Sequence, residues 1–71
     1  MDGFERGDIV WIRDRPFGSK TNIFGRVVGI LDKDWYNILL QNGLNEGIIY
    51  KYKSYKLLIK EKAAINAEED S

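Results

Sequence analysis

The sequence predicts an all-β domain in which five short strands curl into a small barrel. Turn-forming residues recur at intervals of about 8–10 positions, a spacing typical of short antiparallel strands. The runs between them are rich in β-branched and aromatic residues, which favour strands. With 71 residues the chain has room for one core, and a flat sheet of five strands would leave one face and two edges open. Closure into a barrel is therefore the expected solution.

The strands and their connections follow in order along the chain. We predict strands at residues 9–13, 26–31, 35–41, 47–52 and 55–60. A long loop over residues 14–24 joins the first two strands, because it holds the single proline and a cluster of turn formers. Asn42 and Gly43 predict a type I′ hairpin turn, which needs positive φ at both central residues. Lys53 and Ser54 leave space for only a tight or 3₁₀ turn before the last strand.

Composition changes at the end of the last strand. Residues 1–60 are the predicted barrel, and residues 61–71 form an acidic tail rich in Ala and Glu, which we expect to be either frayed or a short helix. Eleven basic and eleven acidic residues cancel, so the chain lacks the strongly basic character of a dedicated nucleic-acid binder. This balance favours a protein partner over nucleic acid.

Alternation along the strands predicts which side chains face the core. The inward positions are Val10, Ile12, Tyr36, Ile38, Leu40, Ile48, Tyr50, Tyr52, Leu57 and Ile59. The second strand has no clean polar face, so we expect a bend through Gly29 that buries both of its sides. Trp11 and Trp35 are expected to point outward, with Leu39 between them.

The residue types argue against an enzyme and against a metal site. The chain has no His and no Cys, which removes the commonest general base, thiol nucleophiles, thiolate zinc sites and disulfides. Residues 18–21 end like a P-loop, but the first glycine and the flanking strand and helix are missing. Asp32 and Asp34 begin a stretch that lacks the glycine and the glutamate of an EF-hand loop. We therefore expect a non-enzymatic protein that holds no cofactor and no metal ion.

Two spaced motifs occur in the first half of the chain, Gly7-Asp8-x-Val10-x-Ile12 and Gly25-x-Val27-x-x-Ile30. Together they resemble the opening of KOW and Tudor-like modules. The resemblance implies an SH3-like barrel with a long first loop and a 3₁₀ turn before the last strand, although the loop is longer in this chain than in a KOW element. Residues 34–40, together with residues 51–53, also look like small accessory proteins of tailed bacteriophages. That second resemblance implies a location in the host-cell cytoplasm.

Candidate residues for a protein partner lie in the long loop and on the outward faces. They are Trp11, Arg13, Arg15, Phe17, Lys20 and Trp35. Loops on rigid scaffolds commonly carry binding function, and exposed large aromatics are typical of docking surfaces. A purely structural interpretation stays open, in which the loop is a simple connection, Phe17 folds over one end of the barrel and the tryptophans pack locally.

A second candidate site is a lysine ridge, defined by Lys51, Lys53, Tyr55, Lys56 and Lys60. Lysines neutralise phosphates, and interleaved aromatics can stack on bases. The competing interpretation is that the neighbouring tyrosines belong to the core and that the lysines protect a strand from edge pairing.

These observations predict a small non-enzymatic adaptor that docks on a protein partner through loop 14–24 and the exposed aromatics. KOW-like binding of RNA or DNA through the lysine ridge is the first alternative. A structural or assembly role in a larger particle, such as a phage virion, is the second. No apolar run is long enough to span a bilayer, so we expect no membrane association. A cytoplasmic monomer is the default expectation.

Overall fold

Five antiparallel strands form a single sheet in the computed structural model, which describes residues 3–32 and 34–63. The strands are β1 (Ile9–Ile12), β2 (Ile23–Ile30), β3 (Trp35–Leu40), β4 (Ile49–Lys53) and β5 (Leu57–Glu61). Their order across the sheet is β4-β3-β2-β1-β5, so β5 returns to pair with β1. A short 3₁₀ turn lies at Ser54–Lys56, and a second short turn at Pro16–Gly18 contains Phe17 in a non-helical backbone conformation. The predicted all-β class, the five strands and the 3₁₀ turn before the last strand are confirmed.

Strands β4 and β5 are the edges of this sheet. No ladder joins them within residues 3–32 and 34–63, so the sheet is not closed and the predicted barrel is not confirmed. The open edge also overturns one predicted core position. Ile59 is exposed although Leu57, two residues earlier on the same strand, is buried, because no strand covers the far end of β5. Ile48 is exposed as well, since it lies ahead of β4 rather than inside it.

The remaining core follows the predicted alternation. The buried hydrophobic residues are Val10, Ile12, Ile23, Val27, Tyr36, Ile38, Leu40 and Leu57. The half-buried Tyr50 and Tyr52 pack against them. The pairing of β2 with β3 shifts its register between Val27 and Gly29, which marks a β-bulge at the predicted bend. The expected burial of both sides of this strand is wrong, because Val28 is only half-buried and Ile30 is exposed on the outer face of the open sheet.

Strand β2 begins earlier than predicted, at Ile23 rather than at residue 26, because residues 23–26 pair with β1. Gly25 is buried within this stretch. A Cβ atom at that position would lie 2.6 Å from both Ile38 Cγ2 and the carbonyl oxygen of Leu39. The close approach of β2 and β3 therefore requires a glycine at this position.

The connection between β3 and β4 is not the predicted type I′ turn. Gly43 has a positive φ of 84°, but Asn42 does not, and residues 41–48 join the two strands. The Asn42 side chain instead reaches β2, where Oδ1 accepts a hydrogen bond from the Phe24 amide at 3.0 Å and Nδ2 donates to the Asn22 carbonyl at 3.0 Å. The antiparallel pairing of the two strands is observed. The predicted turn type is wrong, because the asparagine side chain makes long-range hydrogen bonds to β2 and to the residue before it.

Asp8, just before β1, is a fully buried carboxylate. Its Oδ2 accepts hydrogen bonds from the Glu5 amide at 2.9 Å and Lys62 Nζ at 3.2 Å, and its Oδ1 accepts one from the Ala63 amide at 2.8 Å. Its backbone carbonyl accepts a further bond from the Val27 amide at 2.9 Å. Burial raises the pKa of the Asp8 carboxyl, but the two backbone hydrogen bonds and the Lys62 ammonium outweigh burial and hold that pKa below 3.8. One residue thus joins the N-terminal segment, β2 and the residues after β5.

The segment ahead of β1 covers one end of the core. The Phe4 ring packs edge-to-face on Tyr36 with 5.5 Å between centroids, and the Phe4 amide donates to the Tyr36 hydroxyl at 3.2 Å. The Gly7 amide donates to the Val27 carbonyl at 2.8 Å. Because Tyr36 lies near the start of β3, this segment protects the end of the core at which β3 begins.

Strand β5 extends to Glu61, one residue past the predicted end of the barrel. Of the predicted acidic tail, residues 64–71 lie outside the described residues. None of the helical turns in the described part of the chain has the length and apolar character of a membrane span.

We predict that Asp8→Asn lowers the free energy of unfolding by about 2 kcal/mol at pH 7, because the two backbone amides and the Lys62 ammonium lose their charged acceptor. The folded-state pKa of Asp8 is lowered, so its stabilising effect is present above about pH 4 and is lost as the pH falls through that pKa. Urea unfolding at a series of pH values should show the difference between wild type and variant narrowing below about pH 4.

Asp14→Asn is the matched control, because Asp14 pairs with Lys56 at the surface and its loss should cost less than about 1 kcal/mol. A difference between wild type and Asp8→Asn that stays constant from pH 7 to pH 2 would contradict the account of Asp8.

Candidate functional site

A cleft opens at the end of the sheet where β3 ends. Its volume is about 310 Å³, and it lies between the first loop and the connection from β3 to β4. The buried side chains of Ile23 and Leu40 form its apolar floor. Phe17 and Leu44 line it from the two loops, and they are 47% and 95% exposed, respectively. The cleft therefore combines an apolar floor with apolar side chains that face solvent.

The first wall of the cleft is a loop with a strained backbone. Asp14, Arg15 and Phe17 have positive φ values of 68°, 44° and 63°. Asp tolerates this left-handed region, but Arg15 and Phe17 cost about 1–2 kcal/mol each there, and such residues cluster at functional sites. The surrounding contacts must therefore hold the loop in its observed shape.

Three sets of contacts hold this loop. Asp14 Oδ2 pairs with Lys56 Nζ at 2.9 Å, which ties the base of the loop to the 3₁₀ turn before β5. The Arg15 guanidinium donates to Asn22 Oδ1 at 3.3 Å and to a backbone carbonyl across the loop at 3.4 Å. The Phe17 ring packs on Tyr50 of β4 with 5.0 Å between centroids. The loop is thus connected to both edges of the sheet.

The second wall is the connection from β3 to β4. Asn42 holds its beginning against β2 through the two hydrogen bonds already described. The Glu46 amide donates to the Gly43 carbonyl at 3.2 Å, which closes a turn that includes Leu44. This turn leaves the Leu44 side chain in solvent at the edge of the cleft.

The structure brings together only some of the predicted partner-binding residues. Phe17 and Lys20 both line the cleft. Arg13 and Arg15 are exposed in the same loop, at its base. Trp11 and Trp35 do not line the cleft.

The two tryptophans occupy separate positions on the face of the sheet opposite the core. Trp11 is half-buried, packs edge-to-face on Phe24 at 5.7 Å and carries Lys60 Nζ 5.1 Å above its ring. Trp35 lies at the start of β3, where Lys53 is its cross-strand partner. Phe24 is the cross-strand partner of Trp11, and its carbonyl accepts a hydrogen bond from the amide of residue 41. Residue 41 is six positions after Trp35, so the two tryptophans are roughly 20 Å apart along the strand direction. Both point outward as predicted, but they are too far apart to share one docking surface.

The lysine ridge is divided in the structure. Lys51 and Lys53 place their Nζ atoms 5.6 and 5.5 Å from the Trp35 ring centroid. Lys60 lies over Trp11, and Lys56 pairs with Asp14. Tyr55, in the 3₁₀ turn, is 68% exposed. On β4, burial and the neighbouring Tyr50 raise the pKa of Tyr52 above 10.0, so this phenol is neutral at physiological pH.

Sequence reasoning missed the five cleft residues that lie outside loop 14–24, namely Leu40, Asn42, Gly43, Leu44 and Asn45. One signal was present for Leu44, which is an isolated aliphatic residue among the turn formers of residues 42–47. No local signal existed for the others, because their role depends on how β2 and β3 are placed beside the loops. Within the described residues, no cluster of three or more carboxylates is placed to hold a metal ion.

No protein-family model matches this chain, and comparisons with curated proteins and with solved structures found no match. The SH3-like, KOW-like and phage resemblances therefore stay predictions.

We predict that Asn42→Ala lowers the free energy of unfolding by about 1–2 kcal/mol, because the Phe24 amide loses its acceptor and the Asn22 carbonyl its donor. Hydrogen exchange at the Phe24 amide should become faster. Asn45→Ala is the control, since the Asn45 side chain makes no hydrogen bond within the described part of this loop. Equal losses of stability in the two variants would contradict the role of Asn42.

Proposed function

We propose that the protein is a non-enzymatic binding module that docks a protein partner through the cleft between its first loop and its β3–β4 connection. The occupant is an extended segment of the partner that inserts an aliphatic or aromatic side chain between Phe17 and Leu44. The observation that carries this proposal is the exposed Leu44 beside a cleft whose floor is already apolar.

The size and lining of the cleft support a side chain as its occupant. At about 310 Å³ the cleft lies at the lower end of the roughly 300–1,000 Å³ range of small-molecule sites. Ile23 and Leu40 can contact an apolar group without the loss of any hydrogen bond. An anchor of this kind is typical of the centre of a protein interface.

The exposure of Leu44 supports the same proposal. Leucine contributes about 1.5–3 kcal/mol when its side chain is transferred from water to an apolar contact. At 95% exposure Leu44 contributes almost nothing of this to folding. A partner that covers the cleft would recover this free energy on binding.

The first loop is preorganised for binding, because its contacts fix its conformation. Phe17 has a left-handed backbone conformation and packs on Tyr50 at 5.0 Å, so its position is defined before a partner arrives. A binding loop that is ordered in advance loses less conformational entropy on association. Lys20 lines the same cleft and favours a partner segment with an acidic residue beside its apolar anchor.

We predict that peptides selected on the wild-type protein from a displayed random library carry an aliphatic or aromatic anchor. Leu44→Ser should weaken their binding at least about tenfold, which corresponds to about 1.4 kcal/mol. The midpoint of thermal unfolding should not change, because the leucine is almost fully exposed. Isothermal titration calorimetry measures the affinities.

Ile30→Ser is the matched control, because Ile30 is an exposed aliphatic residue at the opposite end of β2 from Ile23. It should leave peptide affinity within about twofold of wild type, under 0.5 kcal/mol. Selected peptides that bind wild type and Leu44→Ser equally, or a library that yields no binder, would exclude the cleft as the docking site.

The assembly role in a particle such as a phage virion and the cytoplasmic location stay predictions.

A further inference from the structure

The corner of the sheet formed by Trp35, Lys51 and Lys53 is remote from the cleft and has a different chemistry. We call it the Trp35 corner. Trp35 begins β3, whereas Leu40, which lines the cleft, ends it. The two sites are therefore roughly 17 Å apart along the strand. A ligand at one end leaves the other end accessible.

The cations of the Trp35 corner are available to a ligand. Cross-strand register places Lys53 opposite Trp35 and Lys51 opposite Asn37, so both lysines and the ring share one face. Two ion pairs are formed between side chains in the described part of the chain: Lys56 pairs with Asp14, and Lys62 pairs with Asp8. Neither lysine of the Trp35 corner has a carboxylate within ion-pair distance among the described residues.

The aromatic ring of this corner is also available. Trp35 is 37% exposed, and it contacts no other aromatic ring within residues 3–32 and 34–63. Trp11 differs, because it is half-buried and Phe24 packs on it. The packing of Trp11 is explained by the fold, whereas the exposure of Trp35 between two lysines is not.

We propose that the Trp35 corner binds a single-stranded nucleic acid, with one base stacked on Trp35 and backbone phosphates bound by Lys51 and Lys53. Exposed cation–π contacts are weaker than the stacking of a base on an aromatic side chain. The lysines can therefore leave the ring for the phosphates when a base covers it. A duplex does not fit this arrangement, because its bases are already stacked and paired.

This site differs from the lysine ridge that the sequence suggests. Lys56 is neutralised by Asp14 and Lys60 is placed over Trp11, so neither belongs to it. The proposed site consists of Trp35, Lys51 and Lys53, whereas the predicted ridge is a row of four lysines with Tyr55. Lysines alone would attract any polyanion, whereas the proposed site also requires a base to stack on Trp35.

The test uses single-tryptophan variants of the full chain. Trp11→Phe leaves Trp35 as the only tryptophan, and its fluorescence should be quenched on titration with an oligothymidine strand of about twelve nucleotides at low salt. In Trp35→Phe the remaining Trp11 should show no quenching. Fluorescence anisotropy of the labelled strand should report at least about tenfold weaker binding by Trp35→Ala.

Salt dependence tests the phosphate contacts. Contacts to two phosphates predict a slope of log K against log salt of about −1.4, and Lys51→Ala with Lys53→Ala should bring it close to zero. Lys56→Ala is the matched control with the same change of residue type, and it should leave affinity and slope unchanged.

Three results would overturn the proposal: no binding at low salt, equal binding by Trp35→Ala and wild type, or equal affinity for a duplex. Competition by poly-glutamate as strong as that by oligothymidine would also overturn it, in favour of an acidic protein ligand. Leu44→Ser should bind oligothymidine like wild type, so failure here and failure of the docking cleft are distinguishable.

Discussion

The buried Asp8 carboxylate is the interaction on which the rest of the structure depends. It accepts hydrogen bonds from the Glu5 amide and from the Ala63 amide, which is 55 positions away from it in the chain. Both ends of the described chain therefore meet beside β1 and β2. This arrangement places Phe4 over Tyr36 and protects one end of the core, while the opposite end stays open as the cleft. These contacts add to the ladder between β5 and β1 and hold the residues after β5 against the N-terminal segment.

The sequence predicted the fold where local patterns decide the structure. Alternation identified the buried faces of β1 and β3, and the bend at Gly29 matches the observed bulge. The prediction from sequence was wrong where a distant contact determines the local structure. At Asn42 the side chain hydrogen-bonds to β2, and the backbone does not adopt the predicted type I′ turn. The prediction that Ile59 is buried is wrong for a related reason, since its burial requires a neighbouring strand that the sheet does not supply. Alternation describes one strand at a time and contains no information about closure.

The candidate sites could be predicted only in part. Loop 14–24 was recognised from its turn formers, and it does contribute Phe17 and Lys20 to the cleft. The members of the lysine ridge are close in sequence, which predicts a single surface. Register separates them, so that Lys53 lies opposite Trp35 while Lys60 lies over Trp11 at a distant position on the same face of the sheet. Neither the pairing of strands nor the separation of the tryptophans can be deduced from spacing alone.

Amide hydrogen exchange of the wild-type protein at neutral pH tests the central claim most directly. If the Asp8 carboxylate joins both ends of the chain to the sheet, the amides of Glu5 and Ala63 should exchange as slowly as the Val27 amide, which donates to the Asp8 carbonyl. All three would then open only when the sheet unfolds. Fast, unprotected exchange at Glu5 and Ala63 beside a protected Val27 would contradict the claim, because the ends would then open independently of the sheet.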